Sequence, residues 1–440
     1  MKPLSMFRFA APLVIVLAAV PGTGGSMAAD LPQHGQDVHL GVASCASSVC
    51  HGRVIPDADS DVLQNEYRTW ARHDRHAEAY QTLLSPESVA IARKLGLRNA
   101  HEADVCLDCH ADNIDAAKRG RRFHIEDGVG CEACHGGSER YLTDHAAPEA
   151  THAGNLAAGM YPTDDLTARA ELCLSCHLGT SDKFATHDIM GAGHPRLAFE
   201  LDTFTIRQPE HYRVDEDYRS RKADEDPVKR WAAGALVYAR RYAELLQGPL
   251  FVDPPLYPEI SLFDCHSCHD MFGDLDWRSQ PATTDVGPGQ VRLNDASLVI
   301  AAAMLSEIEP ARGEQLYGLI KALHAASAKN RQAVVEVSRR ITQLLETNRS
   351  RVLGHRFSAD QIRAARTRLL DYGVRGEFRD YVGAEQAVMS VDVLSYALDP
   401  ARPGVREELD KLYDIVADDD SYSPSSLEQQ FQSFRSRASQ

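Results

Sequence analysis

Apolar residues recur at helical spacing along much of the chain. Between Val62 and Leu84, the side chains of Leu63, Tyr67, Trp70, Ala77, Tyr80 and Leu84 fall on one side of a 3.6-residue repeat, which predicts an amphipathic helix. A second helix is predicted to begin at Asp226-Pro227, since Asp suits the cap and Pro the first turn. Trp231, Ala235, Tyr238, Tyr242 and Leu245 then form its core stripe. Further on, the runs Leu298 to Leu305, Gln315 to Leu345, Asp360 to Leu370 and Glu385 to Leu398 predict a small helical bundle. In the second run Leu319, Leu323, Val334, Ile341 and Leu345 are the inward positions. The fold class that follows is mostly α, with little regular sheet.

Punctuation between these runs suggests the domain organisation. Residues 1–29 read as a leader, 30–280 as a cysteine-bearing region with short helices, and 281–294, rich in Pro, Gly and Thr, as a linker. Residues 295–417 are the helical C-terminal region, and 418–440, acidic and then rich in Ser and Gln, are expected to fray. The leader has Lys2 and Arg8, the apolar run Phe9 to Val20, and small residues ending in Ser26-Met27-Ala28-Ala29. That order describes a secretory signal cut after Ala28 or Ala29, and the apolar run is too short to span a bilayer. A periplasmic protein with no transmembrane helix after cleavage is expected.

The formal charge of −16 becomes two units more negative once Lys2 and Arg8 are removed. Such a surface repels nucleic acid and anionic lipid, and it steers basic redox partners at low salt.

Chemistry enters with the cysteines. All ten fall into five pairs, each followed at once by histidine: Cys45/Cys50-His51, Cys106/Cys109-His110, Cys131/Cys134-His135, Cys173/Cys176-His177 and Cys265/Cys268-His269. Two thiols at Cys-x-x-Cys spacing can add to the two vinyl groups of one porphyrin, and the next histidine then binds the iron from one face. Structural zinc would place its second ligand pair further along the chain, and a disulfide framework gives no reason for a histidine after every second cysteine. The first pair is irregular, with four residues inside CASSVCH, so its loop must bulge. Five covalently bound haem c groups are the expectation.

The other face of each iron decides between electron relay and catalysis. Of 19 histidines, fourteen lie outside the motifs. His34, His39, His324 and His355 read as structural, leaving His73, His76, His101, His124, His145, His152, His187, His194, His211 and His266 as the supply of distal ligands. On the helical wheel His73 lies inside the apolar arc and His76 beyond its edge. Met190 offers thioether ligation instead, and Arg196 and Arg278 are candidates for pairing with haem propionates.

These landmarks resemble the multihaem cytochromes related to the tetrahaem cytochrome c that accepts electrons from hydroxylamine oxidoreductase. The segments that carry the resemblance are CASSVCHG at 45–52, NEYRTWARHDRHAEAY at 65–80, GVGCEACHGGSERYLTDH at 128–145, THDIMGAGHPRLAFELDTF at 186–204, and FDCHSCHD with DWRSQP within 263–281. The resemblance implies a compact helical protein with haems stacked in pairs, a haem on the irregular first motif, and His76 rather than His73 as a distal ligand. It further implies His145, His187 and His194 as distal ligands, with the fifth lying between His124 and His211. The chain departs from it by one extra motif and by the helical C-terminal region.

Two functions follow. The first is a periplasmic carrier passing electrons between periplasmic or membrane-bound redox proteins through largely bis-histidine haems. The second is an oxidoreductase acting on a small nitrogen or sulfur compound at one haem with an open axial position. No lysine replaces a motif histidine, as one does at the active haem of cytochrome c nitrite reductases, and this lowers the second reading.

Overall fold

Helices form wherever a polar cap precedes an apolar stripe, and loops take the rest. The computed structural model describes residues 30–57, 62–222, 226–253, 258–269, 290–398 and 403–438. Among them there is no strand; only two isolated bridges occur, His39 with Arg119 and Phe263 with Leu293. No helix among the described residues is long and apolar enough to cross a membrane. The leader and Arg278 lie outside the described residues.

The helices used below are, in chain order, α1 (Glu66–His73), α2 (Asp104–His110), α3 (Cys131–His135), α4 (Leu166–His177), α5 (His187–Gly191) and α6 (Leu201–Arg207). There follow α7 (Pro227–Leu245), α8 (His266–His269), α9 (Ala296–Ile308), α10 (Pro310–Ser327) and α11 (Arg331–Gly354). The last four are α12 (Ala359–Val374), α13 (Tyr381–Leu398), α14 (Pro403–Ile415) and α15 (Pro424–Ala438).

The helix expected over Val62 to Leu84 is broken. It stops at Asp74, which takes an extended conformation and accepts the His76 N–H at 3.0 Å. A carboxylate so near the backbone competes with the helical hydrogen bond, and a short tight turn over Arg75–Glu78 replaces it. By contrast α7 starts as its sequence predicts: the Asp226 carboxylate accepts from Val228 N at 2.9 Å, Pro227 is the first residue, and Trp231, Tyr238, Tyr242 and Leu245 are buried. The long run Gln315 to Leu345 divides into α10 and α11, where the Asn330 side chain accepts from Ala333 N at 2.9 Å and caps the second helix.

A single apolar core joins α4, α6 and α7 to the bundle α9–α15. The end of the expected linker belongs to it, since Arg292 and Leu293 are buried. Arg292 is held by Asp295 at 2.5 Å, and Asp295 accepts from His324 Nε2 at 2.8 Å. The C-terminal segment does not fray as expected. Leu427, Phe431 and Phe434 are spaced at i, i+4 and i+7, which puts all three on the buried face of α15, against α12 and α14. Gly373 of α12 leaves room for the Phe431 ring, which any Cβ there would strike.

Residues 30–160 are built differently. Their buried apolar cluster is small, made of Tyr80, Leu83, Ala92, Ala100, Leu107 and Ala111. This region carries three of the five cysteine motifs in loops and short helices.

Replacing Phe431 by Ala removes a fully buried ring. Urea unfolding followed by far-ultraviolet circular dichroism is expected to show a loss of about 3–5 kcal/mol. An unchanged midpoint would mean that α15 contributes nothing to the bundle.

Candidate haem-binding centre

Each cysteine motif is delivered by a turn that brings its histidine back over the first cysteine. In α8 the His269 N–H donates to Cys265 O at 2.9 Å, the ordinary helical bond across four residues. The first motif has two residues more, yet His51 N–H still reaches Cys45 O, at 3.2 Å. The surplus is folded into a small loop closed by Cys50 N and Gly52 N, which donate to Ser47 O at 2.9 and 2.8 Å. Glycine is required at 52, because a Cβ would meet the Ala46 carbonyl. No disulfide joins any of the ten cysteines.

The five motif histidines each face one other imidazole. His51 faces His145 with ring centroids 6.1 Å apart, and His110 faces His194 at 6.2 Å. His135 faces His211, His177 faces His76, and His269 faces His187, each at 6.3 Å. A first-row metal bonds imidazole nitrogen at about 2.0–2.1 Å, and that nitrogen lies about 1.1 Å from its ring centre, so two axial rings on one iron should stand roughly 6.2–6.4 Å apart. Four of the five distances fall within that span, and the His51 pair, at 6.1 Å, lies just below it. The rings are nearly parallel in the first pair, at 10°, and nearly perpendicular for His110, His135 and His177, at 86–87°. The His269 pair is tilted by 34°.

Polar partners engage Nδ1 of five of these rings. His51 Nδ1 lies 2.9 Å from Glu66 Oε2, and His76 Nδ1 lies 2.8 Å from Asp74 Oδ1. His110, His145 and His194 donate from Nδ1 to the carbonyls of Ala79, Tyr141 and Pro195 at 3.0, 2.9 and 2.7 Å. Such outer partners fix the tautomer that leaves Nε2 as ligand. Burial opposes ionisation of Glu66 and Asp74, but hydrogen bonds and charge from His51 and His76 overcome it and hold both below the usual carboxylate range. Phe199 and Phe204 pack on the His177 ring at 5.4 and 5.1 Å. Glu66 and Phe204 do not announce themselves in the sequence, because they meet their histidines only through the fold, whereas Asp74 stands two residues before His76.

The motifs also crowd one another. The Cys45 thiol interacts with that of Cys131, and the Cys109 thiol with that of Cys176. Cys134 lies in the field of Cys173 and Cys176. Helix α5 begins with His187 and His194 follows three residues after its end, so one short segment serves both the second and the fifth motif.

A buried carboxylate ties the N-terminal segment to the third motif. Glu132, inside CEACH, accepts from Leu40 N, Gly41 N and Ser138 N at 2.8, 2.7 and 2.8 Å. Next to it His39, 1% exposed, bonds Asp112 Oδ2 at 2.7 Å. Burial would lower the His39 pKa, but the Asp112 hydrogen bond and the charges of Asp112 and Glu132 raise it above its ordinary value.

Other expected residues stand elsewhere. His124 is exposed ahead of a tight turn at Ile125–Asp127 and faces no motif ring among the described residues, whereas His211, the other candidate, faces His135. His73 is exposed at the end of α1, because the break at Asp74 turns His76 inward instead. Met190 lies within α5, between two histidines that both face motif rings. Arg196 pairs with Asp419 at 3.4 Å and lies over the Tyr381 ring at 5.7 Å.

A family model described as cytochrome c554 and c-prime matches residues 44–136. The matched stretch contains the first three motifs and supports a c-type cytochrome with covalently bound haem c that carries electrons. No curated protein and no solved structure matches the chain.

Two outcomes are expected from the Glu132 and His39 anchors. Glu132→Ala leaves three buried N–H groups without an acceptor and should lower unfolding free energy by on the order of 3 kcal/mol, with Glu132→Gln milder. His39 titrates higher in the folded chain, so its contribution is complete below the unfolded value near 6.5 and fades as pH rises through the folded value. Denaturation midpoints recorded from pH 6 to 9 should lose that decline in His39→Gln, and an identical decline in both proteins would remove the assignment.

Proposed function

We propose that this chain is a periplasmic five-haem cytochrome c that passes single electrons between redox proteins. The observation that carries the reading is the set of five facing imidazole pairs, all between 6.1 and 6.3 Å. Bound haem c would supply a one-electron iron couple at each pair. In this reading Cys45, Cys50, Cys106, Cys109, Cys131, Cys134, Cys173, Cys176, Cys265 and Cys268 hold the porphyrins. His51, His110, His135, His177 and His269 are proximal ligands, with His145, His194, His211, His76 and His187 as their respective distal partners.

The contacts between motifs favour a relay. Cys45 against Cys131 joins motif one to three, Cys134 beside Cys173 and Cys176 joins three to four, and Cys176 against Cys109 joins four to two. The α5 segment then links two to five. With a second imidazole before every motif histidine, no axial position is left for substrate, which weighs against the oxidoreductase. Export through residues 1–29 accords with haem attachment outside the cytoplasm. Residues 30–280 would form the haem-bearing region, and 295–417 a helical region that shares its core.

Pyridine haemochrome analysis of exported protein should give five haems per chain, and its mass should exceed the polypeptide accordingly. The oxidised protein should be wholly low-spin by electron paramagnetic resonance. Perpendicular axial rings give signals of large maximal g, and parallel rings give ordinary rhombic ones, so both classes should appear. His211→Ala should convert one haem to a high-spin form that binds cyanide, while His124→Ala should leave the spectrum as it was. A high-spin iron in the unaltered protein would return the oxidoreductase to first place.

A further inference from the structure

A cavity of about 20 Å³ lies where α6, α7, α9 and α13 meet, and polar side chains are set into its otherwise apolar wall. They are Glu200, which caps α6, Trp231 and Tyr238 of α7, Ser297 of α9, and Gln386 and Ser390 of α13. All six are buried. A cavity lined by hydrocarbon alone stays dry, but about 10–15 Å³ holds one water molecule where two to four polar groups can bind it. This cavity has both the size and the lining.

One of its polar groups lacks a partner. Trp231 is 1% exposed, and its Nε1–H meets no acceptor among the described residues. Indole nitrogen can only donate, and a buried indole N–H usually finds an acceptor. The ring is held from the side by Phe357, which it meets edge-on at 6.3 Å, and α7 is pressed so close to the start of α6 that a Cβ at Gly234 would strike Leu201. Glu200 brings an acceptor to the same cavity. Its carboxylate takes the N–H groups of Asp202 and Thr203 at 2.8 and 2.7 Å, one on each oxygen, and burial still pushes its pKa up to about 7. Each oxygen keeps a further lone pair. On the α13 side Gln386 hydrogen-bonds the Tyr238 hydroxyl.

We propose that this cavity is a binding site for a single internal water molecule, which accepts from Trp231 Nε1 and donates to the Glu200 carboxylate, with Ser297, Gln386 and Ser390 around it to take its remaining bonds. The position gives the water a structural task. Phe199, next to Glu200, and Phe204 of α6 pack on the His177 ring, so the water ties the segment behind the fourth motif to α7 and to the bundle. An apolar gas atom of similar size could satisfy neither the indole nor the carboxylate.

High-resolution diffraction from crystals of the intact protein tests the site. One peak of solvent density is expected about 2.7–3.2 Å from Trp231 Nε1 and from a Glu200 oxygen, and the same crystals under xenon pressure should bind no xenon there. Ultraviolet resonance Raman spectroscopy of the reduced protein supplies a reading in solution. Subtracting the spectrum of Trp231→Phe isolates this indole from Trp70 and Trp277, and its N–H-sensitive band should stand at the hydrogen-bonded position. Xenon in the cavity, no solvent peak, or a band at the free-indole position would each overturn the water site. A crystal structure in which Trp231 Nε1 donates directly to a protein group would overturn it equally.

Discussion

Two imidazole rings that share one iron stand roughly 6.2–6.4 Å apart from ring centre to ring centre, and facing imidazoles at about this spacing recur through the chain. Four pairs meet it and the His51 pair falls just short, and in every pair the partners lie far apart in the sequence, as His51 does from His145 and His269 from His187. Each pair brings the ends of a long loop together, and an iron bound between the rings would cross-link them. In residues 30–160 the apolar cluster is small, and polar anchors do much of the remaining positioning. Glu132 gathers three backbone N–H groups, and Asp74 both ends α1 and orients His76.

The C-terminal half follows ordinary helical packing. Its core is continuous with α4, α6 and α7, and so reaches the His177 end of the fourth motif through α4. The fifth motif is held by the same bundle. Cys265 N donates to Asp380 Oδ1 at 3.1 Å, Asp264 N donates to Arg292 O at 2.8 Å, and His266 meets the Tyr422 ring edge-on at 5.4 Å. The bundle therefore does more than pack against the region of the cysteine motifs: it supplies groups that fix the last motif in place. Asp380 also accepts from Val382 N and Gly383 N at the start of α13, so one carboxylate couples that helix to the motif.

Charge is distributed unevenly enough that its sum misleads. A total of −16 describes the far field, while a docking partner meets individual faces within about 10 Å, the screening distance at moderate salt. Glu66 and Asp74 are turned inward to histidines, while Asp144, next to the His145 that faces His51, is exposed.

Much of this was written locally. Cysteine spacing pointed to the candidate attachment sites and proximal histidines, because two thiols and a ligand for one porphyrin must lie within a few residues of each other. The cap at Asp226 and the stripe from Trp231 to Leu245 specified α7, since a helix start and its buried face are short-range properties. What the chain order could not say was which distant imidazole faces which motif. The facing of His211 rather than His124 to His135, the meeting of His76 with His177, and the burial of α15 through Phe431 and Phe434 are long-range facts. They depend on which segments pack together, and a ligand pair separated by tens of residues leaves no periodic trace. Sequence set the chemistry of each half-site, and only tertiary packing joined the halves.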